Sequence, residues 1–325
     1  MNPTVLVIGL GGTITMTPGA GGGVAPALSA EQLLSSVPGL PGLPVTIETV
    51  DFRRVASGSL GIEDITAVAE LIRARAEGVA GVVVVQGTDT IEETAYLLDL
   101  YHTGAQPVVV TGAMRHPEQA GADGPANLLA AVLTAASEAA RDLGCLVVLA
   151  DEIHAARRVR KTHTTAGSTF RSPDGGPLGY VVEDRPRLLN RVPRRPALAP
   201  PATPRPPRVP VLTMALGDDG VLLDDLGARV DGAVIAGFGG GHVPRTIVEK
   251  VQKLAEEVPV VLASRAGSGP VLTQTYGYPG SELDLIARGL VPAGFLDPLK
   301  ARLLLCALLS GGAGPEAIAA AFAGA

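Results

Sequence analysis

The sequence predicts an α/β protein: a larger N-terminal domain with a mainly parallel sheet flanked by helices, followed by a smaller C-terminal α/β domain. Three observations predict it. Short β-branched runs recur at 4–9, 81–87, 107–113 and 145–151, each ending in a turn rich in Gly, Thr or Asp. Segments of helical period separate them, and Val/Ile/Leu runs without polar alternation are the mark of strands covered on both faces. The length of 325 residues also exceeds one small core, at about 150 residues per domain.

Taken in order, the first strand at 4–9 runs into Gly9-Leu10-Gly11-Gly12-Thr13-Ile14-Thr15, where backbone can approach a ligand closely and hydroxyls sit at the strand tip. The turn lacks the third glycine of a dinucleotide loop and the Lys-Ser/Thr of a phosphate loop. Ser29-Ala-Glu-Gln32 reads as a capping box that starts a helix. After the four valines of 81–87 comes Gln86-Gly87-Thr88-Asp89-Thr90, with Thr90-Ile-Glu-Glu93 as a second capping box. Asp123-Gly-Pro125 opens an alanine-rich helix that continues to about residue 137. Helices on both faces of the sheet follow from these connections.

Composition shifts at residue 185. The segment 185–210 is dense in Pro and Arg and reads as a linker between a domain at 1–184 and one at 211–325. Beyond it, VPVLTMAL, GAVIAGFG and VPVVLAS alternate with helical stretches at about 244–257 and 298–310.

The net charge of −6 and the scarcity of aromatics, with no Trp, 5 Phe and 5 Tyr, argue against nucleic acid as a partner. Cys145 and Cys306 lie inside apolar runs and read as buried, inert thiols. His154, His163, Asp151 and Glu152 lack metal-binding spacing, so no metal or cofactor is expected, and His102 and His116 are expected at the surface. No signal-peptide pattern and no apolar run of about 18 residues occur, which predicts a cytoplasmic chain without a membrane span.

In open parallel sheets, ligands bind beyond the carboxyl ends of strands. Thr88 and Asp89 sit there at a helix N-terminus suited to a carboxylate or a developing oxyanion. A threonine hydroxyl is a weak nucleophile until a base takes its proton, and a desolvated lysine oriented by a carboxylate can do so. Within the basic run 157–165, Arg157, Arg158 and Arg160 read as a solvated face, whereas Lys161 can complete a nucleophile, base and orienter with Thr88 and Asp89.

These residues fall in motifs: LGGTI at 10–14, GTDTIEETAYLLDL at 87–100, PVVVTGAMR at 107–115, GADGPANL at 121–128 and RKTHTTAGSTF at 160–170. Their order and spacing resemble the bacterial-type L-asparaginases and glutaminase-asparaginases over nearly the whole chain. The resemblance implies a two-domain hydrolase that converts L-asparagine to L-aspartate and ammonia without metal or cofactor. It also implies a homodimer or homotetramer with sites at the subunit interface. Carried across, Thr13 matches the first nucleophile, and Thr88, Asp89 and Lys161 match the second catalytic group. Asp89 would hold the substrate α-ammonium. Ser57, Gly58 and Ser59 match the turn that holds the α-carboxylate, with Ser57 the favoured ligand. Backbone near Thr88 and Ala113 would stabilise the oxyanion.

The chain departs from the family in several places. Leu10 and Gln86 stand where Thr and His are frequent, and neither is chemically decisive. The loop 16–24 contains no tyrosine, Gly23 falling where one is usual, so Thr13 needs another activator such as Thr15, a water or Tyr276. His242 replaces an asparagine that lies beside a neighbouring subunit's substrate in the family, with Tyr276 or Glu282 as candidates to complete that place. A broader glutaminase-asparaginase and a catalytically silent amino-acid-binding module are the competing readings.

Overall fold

Apolar strands that bury both faces need crossover helices on each side, and the order of elements provides them. The computed structural model describes residues 2–12, 14, 16–18, 24–26, 29–199, 201 and 205–324, with backbone alone at 16–18 and 24–26. The contacts divide the chain into two units, Met1–Ala197 and Leu198–Ala325.

In the first unit β1 (Thr4–Gly9), β4 (Thr46–Asp51), β5 (Gly81–Val85), β6 (Val108–Thr111) and β7 (Cys145–Leu149) are parallel, in the spatial order β4-β1-β5-β6-β7. Between them run α1 (Ala30–Ser35), α2 (Ile62–Arg75), α3 (Ile91–Tyr101) and α4 (Gly124–Ala135), while β2 (Met16–Pro18) and β3 (Val24–Pro26) pair apart from the main sheet. Next to β7 the sheet turns antiparallel with β8 (Glu152–Ala155), β11 (Gly179–Val182) and β12 (Arg185–Leu188). Two-residue strands β9 (Arg160–Lys161) and β10 (Phe170–Arg171) form a ribbon of their own. Side chains of Val5, Val83, Val109 and Leu146 pack against Leu33 and Leu128, which closes one face of the sheet.

The second unit is a four-stranded parallel sheet, β13 (Val211–Thr213), β14 (Ala233–Gly237), β15 (Val260–Ser264) and β16 (Val291–Pro292), in that order. Helices α5 (Val248–Glu257), α6 (Glu282–Ala287), α7 (Pro298–Ser310) and α8 (Pro315–Ala323) accompany it. None of the helices among the described residues is long and apolar enough to cross a membrane.

Several expectations change. The segment expected to begin a linker at 185 opens instead as β12, paired antiparallel with β11 after a turn in which Glu183 and Asp184 take φ of 52° and 55°. Proline and arginine suit it because an edge strand leaves N–H groups unused and resists further pairing with charge. Arg194 then binds the carbonyls of Gly104 and His102, at 2.7 and 2.6 Å, so this stretch belongs to the first unit. His102 is buried rather than exposed, its Nε2 2.8 Å from Gln106 O, and burial holds its pKa below the usual histidine value. Arg157, Arg158 and Arg160 are half-buried, not a solvated face. The capping box at Ser29 forms with Gln32, and Asp123 opens α4 as its N-cap, though its carboxylate accepts N–H bonds from Met114, Arg115 and the Asn127 amide rather than capping the helix. Both thiols are free and buried, and burial pushes them up, Cys306 to about 11.

Candidate active site

The tips of β1, β5 and β6 lie side by side because those strands are neighbours, so the turns that follow them share one edge of the sheet. After β1, Gly11 and Gly12 take φ of 100° and 92°, and a Cβ built on Gly12 would stand 1.9 Å from the nitrogen of Gly87. Only glycine permits that contact. Gly87 in turn leaves space for Ser57, whose Oγ would lie 2.7 Å from a Cβ at Gly87. Three turns therefore meet, Gly12 on Gly87 through backbone and Gly87 on the side chain of Ser57.

Two of them are single 3-10 turns, Ser57–Ser59 before α2 and Thr88–Thr90 before α3. Ser57 is buried, Gly58 and Ser59 are exposed, and the Ser57 hydroxyl accepts the Asp89 N–H at 3.3 Å. Thr88 is also buried, and Glu92 and Glu93 in the first turn of α3 complement its dipole. Thr90 does not cap α3 through its side chain. Its hydroxyl donates to Ser57 O at 3.2 Å instead and accepts from the Gln86 amide at 3.1 Å, so a tertiary contact outcompetes the local cap.

Lys161, 73 residues further along, reaches this turn from β9. Its Nζ donates to Thr88 Oγ1 at 3.0 Å and to Asp89 Oδ1 at 2.6 Å. The lysine side chain is 14% exposed and the aspartate side chain 76%, so the ammonium is enclosed while the carboxylate faces outward. Glu92 Oε1 accepts the Lys161 backbone N–H at 3.3 Å, which registers the short strand on α3. At the far end of the ribbon the buried His154 ring bonds Ser172 Oγ at 2.9 Å, and Arg171 pairs with Glu152 at 3.3 Å. Ala113 is fully buried just after β6, in a turn held by the Asn127 amide on Gly112 O at 2.9 Å. Thr13 and Thr15 lie outside the described residues, as does Gly23.

The second unit carries the other expected group. His242 follows the glycine turn after β14, with Nε2 3.1 Å from Glu282 Oε2 and Nδ1 3.1 Å from the Tyr278 hydroxyl. Tyr276 sets its ring edge-on to His242 at 5.1 Å, and its N–H and that of Thr275 donate to Glu282 Oε1. Burial pushes the Glu282 carboxyl up, but the N–H bonds from Tyr276 and Thr275, with His242, outweigh it and the net pKa falls below the usual value. An ionised Glu282 thus orients the imidazole. Tyr278 is a member that no sequence motif marks.

Hydroxyl, ammonium and carboxylate in mutual contact at a helix start can move a proton on and off oxygen and can receive an anionic or amide-bearing small molecule. No group of three or more His, Cys, Asp or Glu side chains suited to a metal ion occurs among the described residues.

A family model described as asparaginase, N-terminal, matches residues 4–194, and one described as glutaminase/asparaginase C-terminal domain matches 208–322. A "Probable L-asparaginase" of Deinococcus radiodurans is 38% identical, over 98% of this chain and 97% of its own length. "L-asparaginase 2" of Escherichia coli is 33% identical over 97% and 91%. Among solved structures, that of a probable cytoplasmic L-asparaginase from Campylobacter jejuni superposes with a TM-score of 0.88 at 32% identity, covering 99% of each chain.

Proposed function

The chain belongs to the asparaginase family and hydrolyses L-asparagine, and from that premise we propose that Thr13, Thr88, Asp89 and Lys161 carry the reaction. The single observation that bears most weight is the placement of the enclosed Lys161 ammonium between the Thr88 hydroxyl and the Asp89 carboxylate.

In this reading the substrate α-carboxylate docks on the turn of Ser57, Gly58 and Ser59, and the α-ammonium on Asp89, the natural charge partner. Thr13 Oγ attacks the side-chain amide carbon. Negative charge then gathers on the amide oxygen, which the backbone at Thr88 and Ala113 stabilises. Collapse breaks the C–N bond, the proton shed by Thr13 Oγ passes to the leaving nitrogen, and ammonia departs to leave a β-aspartyl ester on Thr13. Water attacks the ester and gives a proton to Thr88 Oγ1 as Thr88 passes its own to Lys161 Nζ, which serves as the base. Breakage of the ester C–O bond takes that proton back from Lys161 through Thr88 to Thr13 Oγ and frees aspartate. Asp89 holds Lys161 in line throughout. No metal or cofactor takes part.

His242 lines the substrate site of a neighbouring copy in a homodimer or homotetramer, an arrangement that the ionised Glu282 behind it supports. A cytoplasmic location accords with the likeness to the probable cytoplasmic enzyme of Campylobacter jejuni and with two free buried cysteines.

The test is ammonia release from asparagine and from glutamine, each with and without a chelator, alongside intact-mass analysis of protein quenched during turnover. Asparagine should be the faster substrate, the chelator should change nothing, and Thr13→Ala should lose the acyl adduct. Chelator-sensitive turnover or an undiminished Thr13→Ala rate would sink the mechanism.

A further inference from the structure

Gln86 directly follows β5 and is fully buried, although an aliphatic residue would continue the four valines before it without burying an amide. Its Nε2 donates to Gly87 O at 3.2 Å and to Thr90 Oγ1 at 3.1 Å. The Thr90 hydroxyl passes the link on to Ser57 O at 3.2 Å, and Asp89 N–H returns to Ser57 Oγ at 3.3 Å. At this junction the backbones of Gly12 and Gly87 touch, and the small side chain of Ser57 packs on Gly87. Van der Waals contact at the glycines sets how near the turns lie but is not directional. The amide and the two hydroxyls supply that missing constraint.

We propose that Gln86 is a positioning residue that locks the turn at Ser57–Ser59 to the turn at Thr88–Thr90, so that the two read the substrate as one rigid gauge. The inference rests on the reading above in which Ser57 binds the α-carboxylate. One turn then holds the α-carboxylate and the other the α-ammonium on Asp89 beside the Thr88 hydroxyl, and their alignment sets how far the side-chain amide reaches. Gln86 touches neither substrate nor reacting atoms. It acts through Thr90, and its influence falls on substrate binding and on the choice between asparagine and glutamine, which differ by one methylene.

The experiment measures kcat and KM on both amides for Gln86→Leu, Thr90→Val, the double variant, Gln86→His and Ser57→Ala. Gln86→Leu and Thr90→Val should each raise KM for asparagine about tenfold, the worth of one hydrogen bond, with kcat within about threefold. Each should also lower the preference for asparagine over glutamine. The double variant should be no worse than either single one, because both cut the same link. Gln86→His keeps a ring N–H that can donate to Thr90 and should recover most of the loss. If Gln86→Leu does not fold, Thr90→Val decides, since it removes only a hydroxyl from a half-buried site. Unchanged KM and preference in the Gln86 and Thr90 variants, or fully additive effects, would overturn the inference while a raised KM in Ser57→Ala leaves the binding reading standing. An unchanged KM in Ser57→Ala overturns both.

Discussion

Thr88 is buried, and its hydroxyl is engaged by the Lys161 cation rather than by backbone. Thr88→Val keeps the shape and deletes the hydroxyl; kcat on asparagine should fall at least about 100-fold, the scale of a lost proton-transfer group. Thr88→Ser should stay within about tenfold of the parent on the same principle. Equal rates for Val and Ser in an ammonia-release assay would remove Thr88 from the chemistry. At this scale the sequence is informative where a residue type is unusual for its position: Thr88, Asp89 and Lys161 have no packing reason to follow a strand or enter a basic run. Gln86 and Thr90 were not legible. Thr90 occupies an N-cap slot, and the partner that redirects its hydroxyl, Ser57, lies 33 residues away. Thr13 is read from its motif alone.

Among the elements, the two-residue strands β9 and β10 set the position of Lys161, and they are too short for any periodicity to register. Their anchor on the sheet is the His154–Ser172 bond. Burial, with Arg171 nearby, pushes the His154 pKa down from 6.5 to about 4, and the Glu152 carboxylate beside it does not reverse this. A histidine whose folded pKa is depressed binds fewer protons folded than unfolded between those values, so its stabilisation is present above about pH 6.5 and lost as the pH falls toward 4. Denaturant unfolding across that window should show a loss of up to about 3 kcal/mol, and His154→Gln should flatten the slope. An unchanged slope in the variant would contradict the assignment. The glycine turn after β1 gives a second check. Gly12→Ala forces a Cβ onto Gly87 in a left-handed backbone conformation and should cost at least about 2 kcal/mol by thermal melting. Both the strand-and-helix alternation and the capping box at Ser29 were legible because they depend on neighbours in sequence, whereas β12 was hidden by a composition that serves sheet edges and linkers alike.

For the molecule as a whole, each unit places a turn of potential function beyond a parallel strand: Thr88 after β5 in the first, His242 after β14 in the second. Sedimentation velocity should find two or four copies together, and His242→Ala should weaken asparagine use without dispersing them; a monomer with full activity would contradict the shared-site reading. Motif order made the two-unit architecture readable from sequence, but the length of the connection was not, because Arg194 contributes to the first unit through carbonyls distant in the chain. The most direct test of the account is the turnover of L-asparagine by Lys161→Met, which keeps the length of the side chain and removes its charge and its proton-accepting nitrogen. With the fold intact by circular dichroism, kcat should drop by about 100-fold to 10,000-fold. A Lys161→Met protein that releases ammonia at the parent rate would contradict it.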